Sequence, residues 1–132
     1  MVRTAPMISI VDDDVVVRDA TADLISSLGY HTQTFASGEA FLEIGQLQHT
    51  SCLITDLQMP GLTGLELQSR LLDEGHRIPV IFITAFPTTS VRQQAMSAGA
   101  VAFLTKPFED ASLIQSIEAA LSQIESKDTG SR

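Results

Sequence analysis

Charged and hydroxyl side chains follow four short apolar runs in this chain. MISIV leads to Asp12 and Asp13, CLIT to Asp56, VIFI to Thr84, and VAFL to Thr105 and Lys106. If these runs are parallel strands, their carboxyl ends meet at one edge of a sheet and bring the polar side chains together. Carboxylates, a hydroxyl and an ammonium are groups that hold a divalent cation and a phosphoryl group. The sequence therefore predicts a site for phosphate chemistry at that edge.

The three carboxylates of Asp12, Asp13 and Asp56 would repel one another, and at least one pKa would rise unless a cation neutralised them. Oxygen ligands suit Mg²⁺ or Mn²⁺, and Mg²⁺ typically takes one or two carboxylates, keeps several waters and engages a phosphate. The alternative is that carboxylates here only favour the start of a helix, at the positive end of its dipole. We favour that alternative for Asp14, and metal binding for Asp12 and Asp13.

Lys106 is one of two lysines, and the other, Lys127, lies in the polar segment at the end of the chain. Pro107 follows Lys106, and a cis bond between them would turn the ammonium back across the strand ends. The alternative is an exposed lysine before an ordinary trans proline. Beside a cation and an ammonium, Asp56 could accept a phosphoryl group as an aspartyl phosphate, with the Thr84 hydroxyl donating to a phosphoryl oxygen.

The composition is that of one globular domain. The chain has 132 residues, 44% of them hydrophobic, and a formal net charge of −8, which disfavours direct binding of nucleic acid. Its single cysteine, Cys52, excludes an internal disulfide. No apolar stretch approaches the roughly 18 to 20 residues of a membrane span, and the first residues lack the pattern of a signal peptide, so we expect a cytoplasmic protein.

The polar side chains need strands and helices to position them. Apolar runs alternate with segments of helical period, a pattern that predicts repeated βα units and a parallel, doubly wound sheet. We predict strands near residues 7–11, 31–35, 51–55, 78–83 and 101–104. The predicted helices are one at 14–28, one capped by Ser37, one opened by the capping box from Thr63 to Glu66, one near 88–98, and one carrying the stripe Leu113, Ile117, Leu121 and Ile124. Residues 1–125 should form the domain and 126–132 a polar tail or the start of a linker.

Four segments resemble those of response-regulator receiver domains of the CheY-like class. They are IVDDD at 10–14, TDLQMPGLTGLEL at 55–67, VIFITA at 80–85 and AGAVAFLTKPF at 98–108. TDLQMPGLTG and KPFED are most similar to FixJ-type receivers. The resemblance spans residues 7 to about 125. It implies an α/β flavodoxin-like fold, with a five-stranded parallel sheet in the order 2-1-3-4-5 and five helices.

The resemblance also assigns roles in the site. It makes Asp56 the phosphoacceptor, and Asp12 and Asp13 the Mg²⁺ ligands, with Asp13 the more direct one. Asp56 would also be a metal ligand, and the main-chain carbonyl of Gln58 would complete the protein's share. Lys106 would contact the phosphoryl group.

The resemblance further implies a switch and a means of tuning it. Thr84 would move towards the phosphoryl group, and Phe103 would be the aromatic switch. Gln58 and Phe86, two residues beyond Asp56 and Thr84, would tune the phosphoryl lifetime. Pro87 disfavours helical geometry at Phe86.

A receiver is a signalling switch and not an enzyme, although it assists its own phosphorylation and dephosphorylation. The resemblance implies a sensor histidine kinase as phosphodonor and a changed surface on helix 4, strand 5 and helix 5. That surface would control output, expected to be transcription through a domain absent from this chain. We also expect phosphorylation to promote a homodimer, and no binding to nucleic acid or membrane by this chain.

Two alternatives are a pseudo-receiver, which keeps the fold without being phosphorylated, and a haloacid-dehalogenase-like phosphatase. Asp12-x-Asp14 fits the paired aspartates of that phosphatase family. However, Glu109 and Asp110 follow Lys106 too closely to form its final acidic motif.

Overall fold

Five strands alternate with five helices along the chain. The computed structural model describes the backbone of residues 5–130 and the side chains of residues 5–123. The strands are β1 Met7–Val11, β2 His31–Phe35, β3 Thr50–Asp56, β4 Val80–Thr84 and β5 Ala102–Thr105. The helices are α1 Val15–Ser27, α2 Gly38–Ile44, α3 Gly64–Asp73, α4 Thr89–Ser97 and α5 Asp110–Gly130, and a short 3-10 turn, Leu47–His49, precedes β3.

The strands form one parallel sheet in the order β2-β1-β3-β4-β5. This confirms the predicted α/β fold class and strand order. The order reverses at β1 and β3, which lie side by side although β2 comes between them in the chain. Ligands in such sheets bind beyond the carboxyl ends of the strands at this point.

Each face of the sheet has its own hydrophobic core, because successive strand residues point to opposite sides. On one face, Ile8, Ile10, Ile54 and Ile83 pack with residues of α1 and α5. On the other face, Val11, Leu53 and Phe82 pack with residues of α2, α3 and α4. The two helical layers hold the strand ends in a fixed register.

Polar caps begin the helices near the strand ends. The Asp14 carboxylate accepts hydrogen bonds from the N–H groups of Val16 and Val17, which fixes the start of α1. At α3 the predicted capping box is confirmed: Thr63 Oγ1 accepts from Glu66 N–H, and Glu66 Oε1 accepts from Thr63 N–H. These caps place the start of each helix immediately beyond the predicted site.

The structure differs from the sequence prediction mainly at element ends. Helix α5 continues to Gly130 and so includes residues 126–130. The domain boundary after residue 125, with a polar tail or the start of a linker beyond it, stays a prediction. No glycine or proline interrupts residues 110–129, and polar side chains do not by themselves stop a helix. Residues 131–132 and the Ile124 side chain lie outside the described residues. Within residues 5–130, no helix is long and apolar enough to cross a membrane.

Candidate functional site

Strand register brings the predicted site residues to one edge of the sheet. Val11 pairs with Thr55, so Asp12 and Asp56 leave neighbouring strands together. Ile83 pairs with Asp56, which places Thr84 on the next strand end. At β5, the Lys106 N–H donates to the Thr84 carbonyl at 2.8 Å. The four strand ends therefore converge as the alternating apolar runs predicted.

Three carboxylates meet at this edge. Asp12, Asp13 and Asp56 each place an oxygen within 4.8 Å of the other two. Opposite ligands of one Mg²⁺ ion lie about 4.2 Å apart, since each Mg–O bond is about 2.1 Å. Asp12 and Asp56 are buried, whereas Asp13 is exposed. The separation of these oxygens is thus close to what shared ligation of one divalent cation requires.

The ammonium of Lys106 lies between two of these carboxylates. Its Nζ is 2.9 Å from Asp12 Oδ2 and 3.0 Å from Asp56 Oδ2. The Lys106 side chain is only 14% exposed. The peptide bond between Lys106 and Pro107 is cis. The Lys106 ammonium thus pairs with carboxylates at the ends of both β1 and β3.

Burial and pairing act against each other in the titration of these groups. Burial raises the pKa of Asp12, and the hydrogen bond from Asp14 N–H and the adjacent Lys106 ammonium only partly oppose that rise. Burial lowers the pKa of Lys106, but the adjacent carboxylates of Asp12 and Asp56 outweigh that effect, so the pKa is raised overall. Lys106 stays charged at neutral pH. One ammonium facing three carboxylates still leaves negative charge for a metal ion to neutralise.

Asp12 has one carboxylate oxygen that a cation could coordinate. Its Oδ1 accepts the Asp14 N–H at 2.9 Å. Its Oδ2 forms the ion pair with Lys106, but the pair lacks hydrogen-bond direction, and this buried oxygen has no hydrogen-bond partner among the described residues. A buried oxygen without a directed partner is costly, and coordination to Mg²⁺ would satisfy it.

Hydrogen bonds hold the loop after β3 close to Asp56. Asp56 Oδ1 accepts the Gln58 N–H at 3.1 Å, and Gly64 N–H donates to the Leu57 carbonyl at 2.9 Å. A Cβ on Gly64 would lie 2.5 Å from the Asp56 carbonyl oxygen, so only glycine permits this approach. The exposed Glu39 carboxylate also accepts the Leu62 N–H at 3.0 Å.

Sequence reasoning did not assign Gly64 or Glu39 to the site. Gly64 lies within the predicted capping box, and Glu39 was not singled out. The contacts of both depend on how α2, α3 and β3 pack. Gln58 itself lies beside Asp56 as predicted, and ligation by its carbonyl stays a prediction.

Thr84 and Phe86 lie together at the end of β4. Thr84 is fully buried, and its Oγ1 accepts the Phe86 N–H at 3.1 Å. The Phe86 side chain is 67% exposed. The structure therefore places the two predicted residues side by side, with Phe86 at the rim of the site.

Phe103 lies on β5, where it pairs with Phe82 of β4 and joins the hydrophobic core. It is 9% exposed, and the guanidinium carbon of Arg92 on α4 lies 5.8 Å from the centre of its ring. Sequence reasoning missed Arg92, because an arginine on an exposed helix face carries no distinguishing signal.

Comparison with known proteins identifies relatives of the whole domain. A sequence model described as the response regulator receiver domain matches residues 8–118. The response regulator protein TmoT of Ectopseudomonas mendocina is 41% identical over 87% of this chain and 52% of its own length. The transcriptional regulatory protein FixJ of Azorhizobium caulinodans is 38% identical over 86% of this chain and 54% of its own.

The fold has the same relatives. The crystal structure of FixJ-N superposes with a TM-score of 0.81 at 37% identity, and covers 91% of this chain and 96% of that one. The predicted similarity to FixJ-type receivers is confirmed. The chain spans about half the length of the curated relatives it matches.

Proposed function

Because the chain belongs to the response-regulator receiver family, we propose that it accepts a phosphoryl group on Asp56 from a sensor histidine kinase. The observation that carries the proposal is the placement of Asp56. Its carboxylate is almost fully buried, lies at the point where strand order reverses, and has Lys106 Nζ at 3.0 Å. This family transmits signals and is not a family of classical enzymes.

The transfer converts one covalent bond into another. A carboxylate oxygen of Asp56 attacks phosphorus, the bond from phosphorus to the kinase's histidine nitrogen breaks, and the leaving imidazole takes up a proton. The Lys106 ammonium pairs with the Asp56 carboxylate before transfer. During transfer its positive charge would stabilise the negative charge on the phosphoryl oxygens. The protein therefore contributes mainly position and charge.

The metal ligands in this proposal are Asp12, Asp13, Asp56 and the Gln58 main-chain carbonyl. When bound, Mg²⁺ (or Mn²⁺) neutralises phosphoryl oxygens and orients the group for in-line transfer. A hydrogen bond from the Asp14 N–H fixes the Asp12 carboxylate, and the Asp13 side chain is exposed to solvent. Hydrolysis of the aspartyl phosphate would use the same ligands, so the chain would assist both its gain and its loss of phosphate.

Signal output depends on the switch residues. A phosphoryl group would draw the Thr84 hydroxyl and change the position of Phe103, and Gln58 and Phe86 would set its lifetime. The surface of α4, β5 and α5 would then change its affinity for other proteins. One such partner would be a second copy of the chain, so that phosphorylation promotes a homodimer. FixJ is a transcriptional regulatory protein by name. We infer that this receiver likewise controls transcription through another domain, without touching nucleic acid itself.

The phosphatase alternative needs Asp14 as the second aspartate of its motif, and Asp14 has a different role in this fold. Asp14 Oδ1 accepts the N–H groups of Val16 and Val17, so its carboxylate caps α1 and does not belong to the cluster of Asp12, Asp13 and Asp56. The pseudo-receiver alternative is disfavoured by a complete set of site residues.

The test is phosphorylation by a small donor. Wild-type protein is incubated with acetyl phosphate and Mg²⁺, and intact mass is measured. We expect an adduct of one phosphoryl group that disappears without Mg²⁺ and in Asp56→Asn. Asp73→Asn, which removes an exposed carboxylate on α3, should keep the adduct. A wild-type protein that gains no Asp56-dependent adduct would be a pseudo-receiver.

A further inference from the structure

A carboxylate from another helix holds the outer part of the loop after β3. Glu39, in the first turn of α2, accepts the Leu62 N–H with its Oε2 at 3.0 Å. Within residues 59–62, this is the hydrogen bond that the described part of the chain provides, and Met59 adds apolar packing against the core. A Cβ on Gly61 would lie 2.5 Å from the same Oε2, so the glycine leaves room for the carboxylate. Glu39 therefore joins this loop to α2.

The start of α2 is a firm support for this contact. The Ser37 side chain caps the helix by accepting the Ala40 N–H, and Phe41 is fully buried. The Leu62 side chain also reaches α2, since a Cβ on Gly38 would lie 3.1 Å from its Cδ2. The backbone and the side chain of Leu62 thus both lie against the first turn of α2. A capped helix with a buried anchor moves less than an exposed loop, so the loop takes its position from the helix.

The loop that Glu39 holds lies directly beside the proposed metal site. Gln58, four residues before Leu62, donates its N–H to Asp56 Oδ1 at 3.1 Å. With the loop in this position, the three carboxylates of the site each place an oxygen within 4.8 Å of the other two, close to the spacing that one Mg²⁺ ion requires. The contact with Glu39 and the gathered carboxylates therefore occur together. A ligand on a segment that is already ordered binds a metal more tightly, because binding need not order the segment.

We propose that Glu39 is a positioning residue for the Mg²⁺ site, and that its carboxylate holds the loop after β3 so that the Gln58 main chain stays beside Asp56. This rests on the proposed function, which makes Gln58 and Asp56 metal ligands. Glu39 does not belong to the cluster of three carboxylates, so it acts through the loop and not on the ion. The hydrogen bond is exposed. A bond of this kind favours one arrangement by roughly two- to five-fold.

The experiment measures the Kd of the protein for Mg²⁺ by NMR titration. We expect Glu39→Ala to raise this Kd by roughly two- to five-fold. Loss of a negative charge would also weaken cation binding, and Glu39→Gln separates the two causes, because it removes the charge but keeps an oxygen that can accept the Leu62 N–H. Glu39→Gln should therefore bind Mg²⁺ more tightly than Glu39→Ala. Glu43→Ala, which removes an exposed carboxylate one turn further along α2, should bind like wild type.

Two kinds of result would overturn the proposal. Unchanged Mg²⁺ affinity in Glu39→Ala would mean that the loop keeps its position without the carboxylate. Equal weakening in Glu39→Ala and Glu39→Gln, or the same weakening in Glu43→Ala, would be an effect of charge. A role only in folding predicts a third pattern, because a carboxylate in the first turn also stabilises a helix through its dipole. The free energy of unfolding would then fall, but the folded variants would bind Mg²⁺ as wild type does, and the proposal would again be wrong.

A second readout does not depend on the metal. In protein without Mg²⁺, NMR should show faster hydrogen exchange of the Leu62 N–H in Glu39→Ala than in wild type or Glu39→Gln. The Val91 N–H, which donates to Thr88 at the start of α4, should keep its rate in all three. An equal Leu62 rate in wild type and Glu39→Ala would show that this hydrogen bond does not hold the loop. If wild type bound Mg²⁺ but gained no phosphoryl group, the proposed function would fail, whereas both measurements would still decide the role of Glu39.

Discussion

The ammonium of Lys106 pairs with Asp12 and Asp56 at once, at 2.9 Å and 3.0 Å from an Oδ2 oxygen of each. One charge thus stabilises two carboxylates that leave different strands. Lys106 therefore contributes to folding as well as to the proposed chemistry.

Lys106→Met should strongly destabilise the metal-free domain. Removing one partner of a buried ion pair leaves uncompensated charge, which typically costs about 3–5 kcal/mol. We expect the lower end of that range, since the Lys106 side chain is 14% exposed. Urea unfolding at pH 7 without Mg²⁺ measures the free energy of unfolding. Arg70→Met is the control, because its partner Glu74 is exposed and the pair contributes little. A loss of less than about 1 kcal/mol for Lys106→Met would contradict a buried pair.

Asp13→Asn should separate metal binding from stability. Mg²⁺ that binds only the folded protein stabilises it by about 2.7 kcal/mol at 100 times its Kd. Thermal melting should show this gain in wild type and lose it in Asp13→Asn. The variant without metal should be slightly more stable than wild type, because one of three crowded carboxylates is gone. Asp73→Asn should melt like wild type with and without Mg²⁺.

Cys52 should be unreactive in the folded protein. Burial raises the pKa of its thiol from 9.0 to about 12. We expect no labelling by iodoacetamide at pH 8.5, and rapid labelling in urea, followed by intact mass. Labelling in native buffer as fast as in urea would show that Cys52 is accessible.

The same shift predicts alkaline destabilisation. The unfolded thiol ionises above 9.0 while the folded thiol keeps its proton, so the contribution of Cys52 is fully present below 9.0 and is lost as pH rises towards about 12. Cys52→Ala should show a flatter fall in the free energy of unfolding between these pH values.

Gly64→Ala should damage the site more than Gly38→Ala. Both glycines open a helix, but a Cβ at Gly64 would lie 2.5 Å from the Asp56 carbonyl oxygen, whereas at Gly38 it would lie 3.1 Å from the end of the Leu62 side chain. Backbone yields less easily than a side chain, so we expect a loss of about 1–3 kcal/mol for Gly64→Ala and less for Gly38→Ala. Urea unfolding and the acetyl phosphate assay measure both effects. Equal losses of unfolding free energy in the two variants would mean that the backbone after β3 can shift to accommodate a Cβ at position 64.

The sequence by itself determined the parallel sheet and the location of the site at the carboxyl ends of its strands. Alternation of apolar runs with helical stripes requires parallel strands, and parallel strands place residues such as Asp12, Asp56 and Thr84 at a common edge. The capping box was also predictable, because Thr63 and Glu66 lie in one turn, where each side chain can reach the other's backbone N–H. The end of α5 was less predictable, because a polar segment such as residues 126–130 can be either helical or irregular.

Only the tertiary structure decided which distant groups meet. The pairing of Lys106 with both carboxylates, the approach of Gly64 to Asp56, and the cover that Arg92 gives Phe103 join residues from different elements. Such distances depend on how helices pack on the sheet, and no local period in the sequence records them. Residue types and strand ends therefore predicted which chemistry the site could carry, whereas packing determined how its charges are shared and which helix contacts Phe103.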